Sequence, residues 1–348
     1  MPSLLDIPRE IRDKIIELTI SIRRHASECP AAAPQDRVGF DEKSWGYGEV
    51  NNKYERAPAV PTYSPLLLVN RQLSAETTAV IARLSRNLSY SLDVMLVNEA
   101  ELWPTWLSIP VLSNRVENVN ATFRIFGLFD WSSRRRHPFL GGDCGPPPIT
   151  WCYHQLLLHF LTQGPMGAMG REQQSQNDRR VTIGTLTIDI VDSPDSKNEP
   201  LPDDIKYRTW LRRRERRYHS IANSVDQTGK KSLDTMPLPP QWLCLILAGD
   251  IRYLLSMGYH TARYGAILYE RIGTIRVCLN GEVQTEFNLA KLLAQLRFHN
   301  PSTTFGHLDR EDRIQAFWWW KRNTLEKRKR AGLPVVQGDD EQESRIAG

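Results

Sequence analysis

Apolar residues near the start of the chain recur at helical spacing. Ile11, Ile15 and Leu18 stand at i, i+4 and i+7, and charged residues fall off this stripe. Pro8 precedes the stripe, and proline suits the first turn of a helix because its φ is preset and it has no backbone N–H. The pattern predicts an amphipathic helix that begins near Pro8. An isolated helix of this length is unstable in water, so it must dock on its own chain or on a partner.

A second amphipathic pattern follows Pro65 and predicts a second helix. Its apolar stripe consists of Leu66, Val69, Leu73, Val80 and Leu84. Arg71 and Glu76 belong to the same segment, and we interpret them as a structural ion pair or as charges on the helix surface. Between the two helices, residues 20–64 are rich in proline and glycine and lack a periodic pattern, which predicts a mobile insertion.

Beyond residue 85, short alternating segments are interspersed with apolar helical ones. Alternation predicts strands over residues 87–94, 116–125, 181–191 and 271–279. Helical periodicity predicts helices over residues 99–107, 151–161, 242–255, 287–296 and 314–330. Strands that alternate with helices favour a parallel sheet joined by right-handed crossovers.

The predicted fold class is therefore α/β. Helices at the N-terminus are followed by an irregular, leucine-rich-repeat-like sheet with helices on one side, and an unrelated α/β sheet fits the pattern nearly as well. The predicted divisions are a helical region over residues 1–85 with its insertion at about 20–64, an α/β body over 86–330 with loops at about 126–148 and 192–240, and a disordered tail over 331–348.

Composition is that of an ordinary globular protein. Of the 348 residues, 41% are hydrophobic. A chain of this length forms one large domain or two modest ones and is long enough to bury a hydrophobic core. No apolar run approaches the roughly 18 residues of a membrane span, and no secretory signal pattern is present, so we expect no membrane association. Five scattered cysteines without a C-x-x-C pair predict reduced thiols in the cytoplasm or nucleus. The net charge of +5 is too small to argue for nucleic acid.

The two N-terminal helices also resemble a known family. Residues 7–16 have the pattern Ile-Pro-x-Glu-Ile-x-x-x-Ile-Ile, which resembles the opening of an F-box, most closely that of the F-box-like proteins abundant in filamentous fungi. Residues 66–77 read Leu-Leu-Leu-Val-Asn-Arg-Gln-Leu-Ser-Ala-Glu-Thr and are similar to the following helix of that family.

This resemblance implies a non-enzymatic protein-interaction module, an F-box-type substrate-recruiting subunit of a cullin ubiquitin ligase. Its N-terminal helices would bind a Skp-type adaptor, and its body would hold an unknown protein substrate close to the ubiquitin-transfer enzyme. The alternatives are a structural scaffold without adaptor binding and a nuclear nucleic-acid-binding protein. The predicted adaptor-binding residues are Leu5, Pro8, Ile11, Ile15, Ile16 and Leu18. The residues expected to pack behind them are Leu66, Val69 and Leu73.

Two basic clusters are candidates for a polyanion site or a nuclear-import patch. The first cluster consists of Arg212, Arg213, Arg214, Arg216 and Arg217. The second consists of Lys327, Arg328, Lys329 and Arg330 and follows an aromatic run over residues 317–320. Basic residues interleaved with aromatic ones can bind phosphates and stack bases. A solvated helix face is the favoured interpretation, because the sequence contains no recognised nucleic-acid module.

Catalytic signals in the sequence are weak. Cys152 and His154 are close together, but side chains at i and i+2 of a helix face different ways. His154 and His159 miss the i, i+4 spacing that favours a shared metal ion. The sequence contains no phosphate-binding loop, nucleophile elbow or dinucleotide fingerprint. We therefore expect a protein without enzymatic activity, cofactor or metal site.

Overall fold

The computed structural model describes residues 4–39, 51–56, 63–129, 137–139, 147–165, 180–192, 238–258, 261–298 and 309–336. The helices in these ranges are α1 (Arg9–Ile20), α2 (Leu66–Val69), α3 (Arg71–Leu84), α4 (Pro148–Gln163), α5 (Pro240–Leu255), α6 (Ala262–Arg271), α7 (Leu289–Gln295) and α8 (Arg310–Arg330). The strands are β1 (Arg37–Gly39), β2 (Lys53–Glu55), β3 (Ser89–Val97), β4 (Glu101–Ser108), β5 (Arg115–Phe126), β6 (Thr182–Ile190), β7 (Ile272–Leu279) and β8 (Glu282–Asn288).

One six-stranded sheet organises the body, with the strand order β4-β3-β5-β6-β7-β8. The four central strands β3, β5, β6 and β7 are parallel, and β4 and β8 pair antiparallel at the two edges. Each central strand lies beside the next central strand in the chain, so the sheet grows in one direction. This arrangement confirms the predicted α/β class, whereas the likeness to a leucine-rich repeat stays a prediction.

The two faces of the sheet differ in polarity because side chains alternate along each strand. In β5, Val119, Ala121 and Phe123 belong to the main hydrophobic core, while Asn120 is exposed and Thr122 is half-buried. Helices contribute to that same core through residues such as Phe160 of α4, Leu247 of α5 and Leu268 of α6. The helices therefore pack on the apolar face. Ile16 of α1 and Leu73 of α3 also belong to this core, which joins the N-terminal helices to the body.

The segment predicted as a mobile insertion is packed against the sheet in its described parts. β1 and β2 form an antiparallel pair. The amide of Leu102 in β4 donates to the carbonyl of Asn51 at 2.9 Å. The guanidinium of Arg124 in β5 donates to the carbonyl of Ser27 at 2.7 Å. The prediction was wrong for these parts, because the backbone satisfies its hydrogen bonds on the sheet without needing a periodic sequence.

The helix predicted over residues 99–107 is the strand β4. Asn98 and Glu99 have φ values of 52° and 53°, and this conformation turns the chain back on β3 as a hairpin. Pro104 is tolerated in β4 because β4 pairs with a single long strand at the edge of the sheet. The other predicted strands and the helices predicted over 151–161, 242–255 and 314–330 are confirmed with shifted ends.

Two further elements near the C-terminus differ from the sequence prediction. Phe287 belongs to β8, and the helix after it starts only at Leu289, where the Asn288 side chain accepts a hydrogen bond from the amide of Lys291. Helix α6 was not predicted. None of the described helices combines the length and apolar character needed to cross a bilayer.

The beginning of the predicted disordered tail is packed on the body. Leu333 is buried, and the guanidinium of Arg115 in β5 donates to the carbonyl oxygens of Ala331 and Gly332 at 3.4 and 3.3 Å. The prediction of disorder was therefore wrong for residues 331–336. Residues 337–348 lie outside the described residues.

Candidate docking surface

The apolar stripe predicted for α1 lies on the protein surface. Ile11, Ile15 and Leu18 are 51%, 38% and 59% exposed. Because they recur at i, i+4 and i+7, they share one side of the helix, which we call the α1 face. Leu5 before the helix and Ile22 after it are also exposed. Contiguous apolar surface on a folded protein indicates an interaction site.

Pro8 sits at the N-terminal boundary of α1, as the sequence predicts. The helix starts at Arg9, and the Pro8 carbonyl accepts from the amides of Ile11 and Arg12 at 3.1 Å each. Pro8 itself is exposed, and Glu10 lies in the first turn, close to the positive end of the helix dipole. The proline therefore sets the start of the helix that carries the α1 face.

The opposite side of α1 is buried. Ile16 and Ile20 are 2% and 1% exposed and join Leu73 and Val80 of α3 in the main core. Ile16 was predicted to contact an adaptor, and this is wrong for the structure as it stands. Successive helical residues are about 100° apart, so Ile16 points away from the surface that Ile15 occupies.

A buried ion pair fastens α1 to α3. Arg12 Nε donates to Glu76 Oε2 at 2.9 Å, and Arg12 Nη2 lies 2.5 Å from Glu76 Oε1. Arg12 Nη1 also donates to the carbonyls of Leu5 and Ile7. The hydrogen bonds from Arg12, with a smaller contribution from Gln72, lower the pKa of Glu76 to about 2. The carboxylate is thus held in its charged form, as a buried ion pair requires.

Glu76 belongs to a structural ion pair, but its partner is Arg12 and not Arg71, which is exposed. The sequence contains a signal for this arrangement. Arg12, Ile16 and Ile20 stand at i, i+4 and i+8, so they form a second stripe beside the first. A charged residue within an apolar stripe needs a charged partner on the facing element.

Helix α2 exposes further apolar side chains. Leu68 and Val69 are 86% and 60% exposed, whereas Leu66 is half-buried and Leu73 is buried. Leu66 and Leu73 pack inward as predicted, and the prediction for Val69 was wrong. The chain bends between α2 and α3, where Asn70 Oδ1 accepts from the amide of Leu73 and so caps α3. This bend turns Val69 away from the stripe that a continuous helix would have.

Most charged residues on α1 are paired with one another or with α3. Arg9 lies 3.9 Å from Asp13, and Lys14 lies 3.6 Å from Glu17. Glu17 also accepts from Arg83 of α3 at 3.1 Å. An apolar centre with a polar rim is the usual composition of a protein–protein interface.

The structure tests only the second of the two basic clusters. Arg212, Arg213, Arg214, Arg216 and Arg217 lie outside the described residues. In α8, Lys327 donates to Glu270 at 2.7 Å and Lys329 donates to Glu326 at 3.1 Å, while Arg330 is exposed. These contacts are consistent with a solvated helix face.

Arg328 does not belong to a surface patch, and its assignment to one was wrong. Its side chain is fully buried. It donates to the carbonyls of Tyr269 and Ile272, the latter at 2.8 Å, and to Pro334 at 3.0 Å. Burial lowers the pKa of Arg328 to about 10. The guanidinium thus joins α8, α6 and the residues after α8 within the fold.

Of the candidate catalytic residues on α4, Cys152 and His154 are buried and His159 is half-buried. Burial raises the pKa of Cys152 to about 11 and lowers the pKa of His154 to about 4. The thiol is therefore protonated and the imidazole neutral near pH 7. The His159 ring packs against Tyr54, with 5.0 Å between ring centroids. Across the described ranges, no group of three or more His, Cys, Asp or Glu residues is arranged to hold a metal ion.

The chain was compared with models of protein families, with curated proteins and with solved structures. None of the three comparisons found a match.

Proposed function

We propose that this protein is a non-enzymatic interaction module that binds a Skp-type adaptor through the α1 face, as an F-box-type substrate-recruiting subunit of a cullin ubiquitin ligase does. One observation carries the proposal: α1 has two apolar sides and uses only one of them for its own fold. Ile16 and Ile20 are buried, whereas Ile11, Ile15 and Leu18 are exposed. Leaving three large aliphatic residues in water is unfavourable unless a partner covers them.

The attachment of α1 supports this role. Arg12 and Glu76 fix the helix through a two-point ion pair, and Arg12 also binds the carbonyl of Leu5 in the segment before the helix. A surface that is already ordered loses little conformational entropy on binding, so more of the contact energy contributes to affinity. The α1 face is a preorganised surface for a partner helix or groove.

In this function the α/β body holds the substrate protein and adds no chemistry of its own. The complex raises the effective concentration of the substrate near the ubiquitin-transfer enzyme. Polyanion binding by α8 is not proposed, because Arg328 is buried and Lys327 is paired with Glu270.

The test is co-expression and pull-down of the full chain with the Skp-type adaptor of the same organism. The variant Ile11→Asp/Ile15→Asp places two charges on the α1 face. We expect it to lose adaptor binding, because charges at the centre of an apolar contact are desolvated without partners. Circular dichroism and thermal unfolding must show that the variant is folded.

A matched control carries the same two substitutions elsewhere on the surface. Leu245→Asp/Val283→Asp changes two exposed aliphatic residues, of α5 and β8, and we expect it to retain adaptor binding. Absence of binding by the folded wild type would contradict the ubiquitin-ligase proposal. Equal loss of binding in both double variants would contradict the assignment of the α1 face.

A further inference from the structure

A cavity lies between the apolar face of the sheet and the helices α4, α5 and α6. Its volume is about 80 Å³. Protein interiors are close-packed and contain few voids larger than one water molecule. The cavity therefore exceeds a packing defect and can hold a small apolar molecule.

The cavity wall is almost entirely hydrocarbon. Representative lining residues are Ala121 and Phe123 of β5, Leu157 and Phe160 of α4, Leu247 of α5 and Leu268 of α6. An apolar cavity of this kind does not hold water well and readily accepts an apolar molecule. Burial against these side chains supplies most of the affinity of any ligand.

A small polar region interrupts this apolar wall. Thr150 Oγ1 on α4 donates to Asp250 Oδ2 on α5 at 2.9 Å, and both residues line the cavity. No hydrogen bond to Asp250 Oδ1 is found among the described residues. The second carboxyl oxygen is therefore available to a donor from a ligand.

His154 is another polar residue of the same wall. Thr150 and His154 stand at i and i+4 and so share one face of α4. His154 Nε2 lies 3.3 Å from the carbonyl oxygen of Tyr264, so Nε2 carries the proton and Nδ1 is an acceptor. Nδ1 is buried and has no hydrogen-bond partner among the described residues. His154 is therefore neutral near pH 7 and adds no positive charge to the wall.

The charges in the wall exclude one class of ligand. No lysine or arginine occurs among the described residues that line the cavity. A fatty-acid carboxylate would bring a negative charge close to Asp250 without any cation to balance it, and burying an unpaired charge is unfavourable. An alcohol or an amine would instead donate to the available oxygen.

We propose that this cavity is a binding site for a small, predominantly hydrocarbon molecule with one hydrogen-bond-donating head group, an alcohol or an amine, which Asp250 accepts. The apolar wall selects the hydrocarbon part, and Asp250, held by Thr150, orients the head group. The site lies in the body, away from the α1 face, and it is independent of the proposed adaptor binding.

The test uses three probes with the same alkyl chain: 1-hexanol, hexylamine and hexanoate. Each is titrated into the full-length chain at pH 8, above the pKa of about 7 of the buried Asp250 carboxyl, so that this group is ionised, and binding is followed by saturation-transfer NMR and by the shift in thermal unfolding. We expect saturable binding of 1-hexanol and hexylamine, and binding of hexanoate that is weaker by about tenfold or more.

Cavity-filling variants locate the binding site. Ala121→Met fills the cavity from β5, and we expect it to weaken the binding of 1-hexanol by about tenfold. Leu245→Met is the matched control, because Leu245 lies on α5 but is exposed, and we expect its binding to equal that of the wild type. Near-UV circular dichroism reports whether each variant is folded. Leu247→Phe fills the cavity from α5 and replaces Ala121→Met if that variant does not fold.

Asp250→Asn tests the head-group assignment. We expect the amide to retain 1-hexanol binding and to weaken hexylamine binding, because the negative charge is gone. Hexanoate binding as tight as that of 1-hexanol would overturn the head-group assignment. Saturable binding that Ala121→Met and Leu247→Phe leave unchanged would overturn the site, as would the absence of saturable binding by all three probes.

Discussion

Arg12 and Glu76 are 64 residues apart in the chain, yet they form a two-point ion pair between α1 and α3. Their side chains are 8% and 7% exposed, so both charges are largely removed from water. The pair lies on the same side of α1 as Ile16 and Ile20, opposite the α1 face. Arg12 thus belongs to the buried side of α1, and its pairing with Glu76 fastens that side to α3.

Removing one member of this pair leaves the other charge buried without a partner. We expect Arg12→Met and Glu76→Met each to lower the thermal unfolding midpoint by roughly 5 °C, and the double variant to lower it by less than the sum. Arg9→Met is the control, because Arg9 is exposed and lies 3.9 Å from Asp13, and its midpoint should match that of the wild type. Additive effects of the two single changes would contradict direct coupling between Arg12 and Glu76.

The periodicity of α1 predicts the helix but leaves open which stripe faces the core. Ile11, Ile15 and Leu18 form one stripe, and Ile16 and Ile20 belong to another, so helical spacing alone cannot choose between them. The choice depends on α3, which is far away in the sequence and supplies Glu76. A local sequence pattern does not encode contacts with a distant helix. For this reason Ile16 was assigned to the wrong side of α1.

Strands with alternating residues were predictable because the apolar face of the sheet needs every second side chain. Strand β4 was predicted as a helix because Pro104 interrupts its alternation. A proline at this position is compatible with a broken helix as well as with an edge strand. Arg328 was missed for another reason. A basic run looks solvated in sequence, and only the carbonyls of Tyr269, Ile272 and Pro334 reveal that one of its members is buried.

Asp250 makes the stability of the body depend on pH. Burial raises the pKa of Asp250 from 3.8 to about 7. Between these values the folded state holds a proton that the unfolded state releases, so the free energy of unfolding decreases as the pH rises through this window. We expect Asp250→Asn, which keeps an acceptor for Thr150, to be more stable than the wild type at pH 8, by at most about 4 kcal/mol.

The measurement is urea unfolding of both proteins between pH 5 and pH 8, pH values chosen to span the upper part of this window. Burial lowers the pKa of His154 to about 4, which gives a slope of opposite sign, but this slope is common to both proteins and cancels in the difference. A stability difference that does not grow with pH would contradict the assignment to Asp250.

Arg328 should behave as a core residue and not as part of a basic patch. Arg328→Met removes the donors to three carbonyl oxygens in the fold, and we expect a loss of about 2 kcal/mol or more in the free energy of unfolding. Arg330→Met, two residues later and exposed, should change it by less than about 0.5 kcal/mol. Urea unfolding distinguishes the two cases, and equal effects of both changes would place Arg328 at the surface.

Glu99 connects both long loops of the body to the turn between β3 and β4. Its side chain is fully buried; Oε2 lies 2.9 Å from His137 Nε2, and Oε1 accepts from the amide of Leu238 at 2.9 Å. Phe139 N donates to His137 Nδ1, so Nε2 carries the proton and donates to Glu99. His137 follows β5 and Leu238 precedes α5, so one carboxylate binds both the segment after β5 and the segment before α5.

Glu99 occupies this position although its φ of 53° is unfavourable for a residue with a side chain. Two substitutions separate the backbone strain from the side-chain contacts. Asn98→Gly relieves strain at the neighbouring position, where φ is 52°, and should change stability by less than about 1 kcal/mol. Glu99→Ala keeps the strain and removes both acceptor oxygens, and it should destabilise the fold by about 2 kcal/mol or more.

Hydrogen exchange at the Leu238 amide gives the sharper measurement. In the wild type this amide donates to Glu99, so we expect its hydrogen to exchange slowly. In Glu99→Ala the amide loses this acceptor, and we expect its exchange rate to increase. Glu99→Gly should accelerate exchange just as much, because glycine accepts the backbone conformation but supplies no carboxylate. If the Leu238 amide stayed protected in both variants, the loop before α5 would be held by other contacts, and Glu99 would serve the β3–β4 turn alone.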